Sequence, residues 1–381
     1  MKWSLKIGRI FGIDLYLHFT FLLLLAFLGS VTWRTTGSLD SALSTVTFIV
    51  VVFCCVLIHE LAHALMAREY GVKTRDITLL PIGGVARLES ASLRPMQEFW
   101  IALAGPAASL AIAIALFAWI FIAEGASAAT DFSLSAGNAY RKLLAINLAI
   151  VGFNLLPAFP MDGGRILRAL LSLRIGHRRA TAVAANFGQA FAILFGIVGF
   201  FYNPILIFIA VFVFLGAQAE AGIVEMEFAL KGLQVRDGTQ SQFRTLSPSD
   251  TLDQAAEQIL AGSQQDFPVV ENGETLGMLV HKDLIRALKT GQHDRRVEAF
   301  MLTDSPKVQE SASLQEAVES MTRQRCSTFS VMNGEKLVGI LTREHVAEMI
   351  LIHSASAQQE QADTPHTKAT TSPHSPAPPQ P

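Results

Sequence analysis

Charge is what this sequence has least of. Asp, Glu, Lys and Arg make up 16% of its 381 residues, against about 25% in an average soluble domain, while 51% of the residues are hydrophobic. That balance points to a membrane protein. The formal net charge of −2 supplies no positive field, so nothing argues for nucleic acid as a partner. Cysteine is scarce as well: Cys54, Cys55 and Cys326 provide neither a zinc-finger spacing nor a disulfide framework. A cleaved leader is not expected either, because the apolar run after Lys2, Lys6 and Arg9 is long and no A-x-A site follows it.

What is present is unevenly spread. Long apolar runs fill the chain up to Glu220, and the remainder reads as soluble. Segments of spanning length are expected at about Leu15–Val31, Ala42–Ile58 and onward, Phe99–Ala123, Leu143–Pro160, Ala180–Phe201 and Ile205–Ala217. Six spans make a polytopic α-helical membrane domain with both termini on one side. Of the Lys and Arg flanking these spans, 13 fall on the side of the termini and three (Arg34, Arg141 and Lys142) on the other. Positive flanks stay cytoplasmic, so the reading is a multi-pass protein of the cell (inner) membrane with cytoplasmic N- and C-termini.

The stretch VLIHELAHALMAREYGV, Val56–Val72, places two histidines and a glutamate at the end of an apolar run. Ionisable groups there are costly and mark function by default. His59, Glu60 and His63 form H-E-x-x-H. On a helix, positions i and i+4 share a face, so both imidazoles can reach one metal while Glu60 serves as general base. A catalytic zinc site usually takes three protein ligands and leaves a place for water. The best third ligand is Asp162, in FNLLPAFPMDGGR at Phe153–Arg165. There Pro157 and Pro160 should break the helix, and Gly163 and Gly164 permit unusual dihedrals. Irregular backbone at membrane depth is tolerated where it is buried in protein or lines a wet cavity. The segment DITLLPIGGVARLE, Asp76–Glu89, reads as a hairpin; it is either a plain connection or an edge that holds an unwound substrate as an added strand.

These residues carry a resemblance. HELAH at His59–His63 with NLLPAFPMDGG at Asn154–Gly164, supported by LLPIGGVARLE at Leu79–Glu89 and LAGPAAS at Leu103–Ser109, resembles the site-2 protease family of intramembrane zinc metalloproteases. The resemblance implies one zinc ion on His59, His63 and Asp162, a water-activating Glu60, and a role for Asn154 near the substrate or the developing oxyanion. It also implies single-span membrane substrates: anchored regulatory proteins or remnant signal peptides.

Beyond Glu220 the chain repeats itself. Asp266–Leu288 aligns with Thr328–Ile350 through Phe267 and Phe329, Val269 and Val331, and Gly277 and Gly339. The pair resembles tandem CBS domains, an α/β module that often binds adenine nucleotides. The family's ligand motif, roughly G-h-h-T-x-x-D, is split: the first repeat keeps Asp283 but has Val280 in place of Thr, and the second keeps Thr342 but has His345 in place of Asp. An adenine nucleotide would meet an incomplete set in each repeat, which leaves open a structural, homodimerising or partner-binding role. The expected organisation is a membrane protease domain over 1–220, a linker over 221–234, CBS repeats over 235–290 and 291–353, and a disordered tail over 354–381. The leading function is an intramembrane zinc endopeptidase cutting near the cytoplasmic face. A CBS-regulated transporter or channel is the alternative, and it gives H-E-x-x-H and Asp162 no role.

Overall fold

The computed structural model describes residues 3–362 except 82, 89–92, 126–137 and 325, without the side chains of 88 and 353–362. The chain divides into two compact units, Met1–Val224 and Glu225–Pro381.

The first unit opens with two strands, β1 (Ser4–Ile10) and β2 (Ile13–His18), joined by a tight turn in which Phe11 and Gly12 take positive φ of 50° and 86°. Helix α1 (Phe19–Thr36) follows, ending on Gly37 in the left-handed region. The first expected span therefore begins at Phe19; Leu15–His18 belongs to β2, in which Ile13 and Leu15 are buried and the other residues half-buried. His18 ends the strand and caps α1, its Nδ1 accepting from the Thr20 backbone N–H and lying 2.7 Å from Thr20 Oγ1.

Helix α2 (Leu39–Glu69) carries H-E-x-x-H and is capped by Ser38. Strands β3 (Thr74–Leu80) and β4 (Gly83–Leu88) form the expected hairpin. They join β1 and β2 in one sheet of order β1-β2-β3-β4, with β2 parallel to β3 and the other pairs antiparallel. Across the hairpin the Arg87 Nε donates to Asp76 Oδ1 at 2.8 Å. The sheet packs on α2 through Ile13, Leu15, Leu61, Ala64 and Ile77.

Helix α3 (Pro95–Glu124) starts with proline at its first position, where a missing N–H costs nothing. Helix α4 (Ala139–Asn154) is next, then an irregular stretch to Met161, then α5 (Asp162–Ile175), α6 (His177–Tyr202) and α7 (Ile205–Leu230). Among the described residues, five helices are long and apolar enough to cross a membrane: α1, α2, α3, α6 and α7. The fourth expected span is realised differently. Its 16 helical residues in α4 cover about 24 Å, short of the roughly 30 Å hydrocarbon core. The chain then runs on irregularly with Ala158, Phe159 and Met161 buried. Asp162 consequently opens a new helix rather than closing the fourth span.

The glycines after Asp162 also serve another purpose than the expected one. Both are helical, and neither has positive φ. A Cβ on Gly163 would meet the Leu155 and Leu156 carbonyls, and one on Gly164 the Ala158–Phe159 peptide. Close packing of α5 on the irregular stretch requires glycine there, not unusual dihedrals.

In the second unit, α8 (Leu252–Leu260), β5 (Phe267–Glu271), β6 (Glu274–Leu279) and α9 (His281–Lys289) make one repeat. Strand β7 (Lys307–Gln309), α10 (Leu314–Gln324), β8 (Thr328–Asn333), β9 (Lys336–Thr342) and α11 (Arg343–Ala362) make the other. The two cores correspond residue for residue: Leu252 with Leu314, Phe267 with Phe329, Val269 with Val331, Leu279 with Leu341, and Leu284 with Val346. The expected linker is helical as far as Leu230, the end of α7, and the expected tail is helical as far as Ala362; residues 363–381 lie outside the described ones.

Candidate metal centre

One turn of α2 brings the two imidazoles together. His59 is buried and His63 nearly so, with 5% and 13% of their side chains exposed. From α5, Asp162 reaches both: its Oδ2 lies 3.1 Å from His59 Nε2 and 3.2 Å from His63 Nε2, and the two Nε2 atoms are 3.1 Å apart. Among the described residues these three form the group able to hold a metal ion.

The far side of each ring is already engaged. His63 Nδ1–H donates to the Ile101 carbonyl at 2.7 Å, and Ser109 Oγ, itself buried, lies 3.0 Å from His59 Nδ1. Because a carbonyl can only accept, the neutral His63 ring carries its proton on Nδ1 and presents a lone pair at Nε2. A lone pair, a second Nε2 and a carboxylate oxygen converging in an apolar unit form a donor set for a cation. The spacing is close to what zinc needs: ligand distances of about 2.0–2.2 Å in a tetrahedron correspond to edges of about 3.3–3.6 Å, a little wider than the near-equilateral triangle of 3.1–3.2 Å observed.

Two glycines leave room for the site. A Cβ on Gly105 of α3 would fall on His63 Nε2 and within 2.6 Å of His59 Nε2, and one on Gly84 of β4 would lie 2.5 Å from Glu60 Cγ. Glu60 is thus set between its own helix and the sheet edge strand β4, within electrostatic range of His59, His63 and Asp162. Asn154 is the last residue of α4 and half-buried; among the described residues no hydrogen bond joins its side chain to the three ligand candidates. Ile101, Gly105 and Ser109 were not singled out as site residues in the sequence. The signal for two of them was the small-residue segment LAGPAAS, whose Gly105 and Ser109 lie one turn apart on one face of α3.

In the second unit, a cavity of about 170 Å³ lies between the repeats. Thr342 and His345 line it together with Asp266, Ser327, Glu344 and Glu348. Asp283 does not; it pairs with Arg286 at 2.9 Å on α9. The two residues expected to meet a nucleotide are therefore apart. Asp266 is buried and satisfied: the His281 backbone N–H donates to Oδ1, and the Ser327 and Thr328 hydroxyls donate to Oδ2. It also explains Val280. The start of α9 has no capping side chain of its own, and Asp266 supplies the acceptor from outside, whereas Thr342 accepts from the His345 N–H in the second repeat.

An H-E-x-x-H helix whose histidines meet an aspartate from a second helix, in a unit built of membrane-length helices, defines a membrane-embedded metallopeptidase. The family model "Peptidase family M50" matches residues 47–142 and 122–195, and the "CBS domain" model matches residues 239–290 and 297–352. The chain is 32% identical over 359 residues to the zinc metalloprotease MJ0392 of Methanocaldococcus jannaschii, covering 92% of this chain and 97% of that protein. It is 31% identical over 153 residues to stage IV sporulation protein FB of Bacillus subtilis, covering 40% of this chain and 50% of that one. The solved site-2 protease from Methanocaldococcus jannaschii is 37% identical and covers 57% of this chain and 95% of its own, with a TM-score of 0.43. The chain belongs to peptidase family M50, the site-2 proteases, and is a multi-pass zinc metallopeptidase with a C-terminal CBS pair.

Proposed function

We propose that this protein is an intramembrane zinc endopeptidase in which His59, His63 and Asp162 hold the metal and Glu60 is the general base. The convergence of two Nε2 atoms and Asp162 Oδ2 within 3.2 Å of one another carries this reading. Held by His59, His63 and Asp162, zinc would supply a Lewis acid for the scissile carbonyl and lower the pKa of a water toward neutrality. Glu60, set beside the three ligand residues, would accept a proton from the attacking water and pass it to the leaving amine. Asn154, at the end of α4, donates to the oxyanion or orients the substrate.

About 30 Å of helix separates Leu39 from His59, roughly the thickness of the hydrocarbon core. That supports a site near the membrane face opposite Ser38, which the distribution of Lys and Arg favours as the cytoplasmic one; both termini share that side when the short helix α4 and the irregular stretch after it together complete a sixth crossing. A substrate helix must unwind before its carbonyl is reachable. Among the described residues β4 is an edge strand of its sheet, and its outer edge, with Val85 exposed and Gly84 against Glu60, would take the unwound segment as an added strand. Single-span anchored regulators and remnant signal peptides are the substrates this site suits.

The CBS pair would regulate cleavage or dimerise the protein. An adenine nucleotide would meet Thr342, but a cavity lined by Asp266, Glu344 and Glu348 and, among the described residues, by no Lys or Arg would repel a phosphate chain. The nucleoside end is the part it suits.

The test is cleavage of single-span reporters co-reconstituted with the full-length protein, comparing wild type with Glu60→Gln and counting bound metal in both. The expected result is one zinc in each and cleavage by wild type alone. Absence of zinc from the wild type overturns the proposal.

A further inference from the structure

The ligands of the metal centre come from two helices that share a neighbour. Glu98, Ile101, Gly105 and Ser109 follow one another on α3 at helical spacing and are buried or half-buried along one face. Ile101, Gly105 and Ser109 meet the histidine rings of α2. The first of the series, Glu98, meets α5 instead: Arg168 Nε donates to Glu98 Oε1 at 2.6 Å, and Arg168 Nη2 to the same oxygen. Arg168 lies six residues beyond Asp162 on α5, about 9 Å along the helix axis.

Arg168 is held on every side. Its Nη1 lies 3.5 Å from Glu220 Oε2 of α7, and its guanidinium stands 4.9 Å over the ring of the fully buried Phe159. Glu220 also accepts from Arg165 Nη2 at 3.3 Å. The Arg168 and Glu98 side chains are 12% and 10% exposed, so both charges have given up most of their water. A buried ion pair contributes little net stability, and apolar side chains of similar volume often replace one without loss. Its geometry is another matter: two donors on one oxygen fix both the rotation and the axial placement of α5 against α3.

We propose that Arg168 and Glu98 are positioning residues for the metal centre. By locking α5 to the helix that orients His59 and His63, they deliver Asp162 Oδ2 to both Nε2 atoms. This inference rests on the zinc site proposed above.

The experiment measures zinc affinity by chelator competition on the purified full-length protein, alongside thermal unfolding of the metal-free forms. Wild type, Glu98→Gln, Arg168→Lys and the paired replacement Glu98→Leu with Arg168→Met are compared. The paired variant should fold with a wild-type unfolding temperature yet bind zinc about 10-fold more weakly, the low end of what losing a direct outer partner of a metal ligand costs, since Glu98 and Arg168 act one step further out. Arg168→Lys, which keeps the charge but not the fork, should fall between. A purely structural pair gives the opposite pattern, a lower unfolding temperature with unchanged affinity per folded molecule, and that result overturns the proposal. Should the paired variant fail to fold, Glu98→Gln decides alone: affinity within threefold of wild type rejects the inference. A wild type that binds no zinc rejects the metal site itself, a separate outcome.

Discussion

At the scale of single residues, the metal centre depends as much on atoms that are missing as on those present. Gly105 contributes only the absence of a Cβ, and that absence is where the Nε2 atoms of His59 and His63 sit. Gly105→Ala should therefore lose metal binding although α3 itself would tolerate alanine; zinc content of the purified variant checks this, and a full complement would show that the rings can yield. Glu60→Gln should keep its zinc and lose cleavage by a factor of about 10² to 10⁴, the usual worth of a general base, measured as turnover of the single-span reporter. Asp162→Asn should lose the zinc as well, because the carboxylate is the one anionic donor among the three.

Among the elements, the irregular stretch between α4 and α5 decides the site. It turns the chain so that Asp162 begins α5 facing α2, and it is packed so closely that Gly163 and Gly164 have no room for side chains. Gly163→Ala should cost about 1–3 kcal/mol through overpacking and weaken zinc binding with it, which denaturant unfolding and chelator competition would read together. The edge strand β4 makes a second prediction. A photo-crosslinker at Val85 should capture the substrate in the Glu60→Gln protein; capture confined to crosslinkers placed on α6 or α7 would rule out strand addition at this edge.

For the molecule as a whole, the question is what the CBS pair senses. Among the described residues its cavity has three carboxylates and His345 in the lining and neither Lys nor Arg. ATP should therefore give no heat of binding below about 1 mM in calorimetry with the full-length protein, since a buried phosphate without Lys or Arg partners is costly. Tight ATP binding would mean that the cavity recruits a counter-ion or rearranges. The repeats themselves were legible from alignment of the chain with itself, because each core position recurs at the same interval, as Phe267 and Phe329 or Leu279 and Leu341 do. The ligand was not legible, because Thr342 and Asp283 match the family's motif while lying in different surroundings.

The sequence by itself determined the apolar character of the first unit, the helical H-E-x-x-H and the hairpin, since each rests on short-range periodicity or turn chemistry. It also singled out Asp162, because a carboxylate in a Pro- and Gly-broken stretch at the end of an apolar run is expected at the same depth as His63. Tertiary structure alone decided that Asp14–Leu17 pairs as a strand with β3, that the fourth span stops at Asn154, and that α3 supplies the far-side partners of both histidines. Those features depend on contacts between residues tens of positions apart, such as His59 with Ser109 and Glu98 with Arg168. No local pattern encodes a contact of that kind; it exists only once the helices have packed.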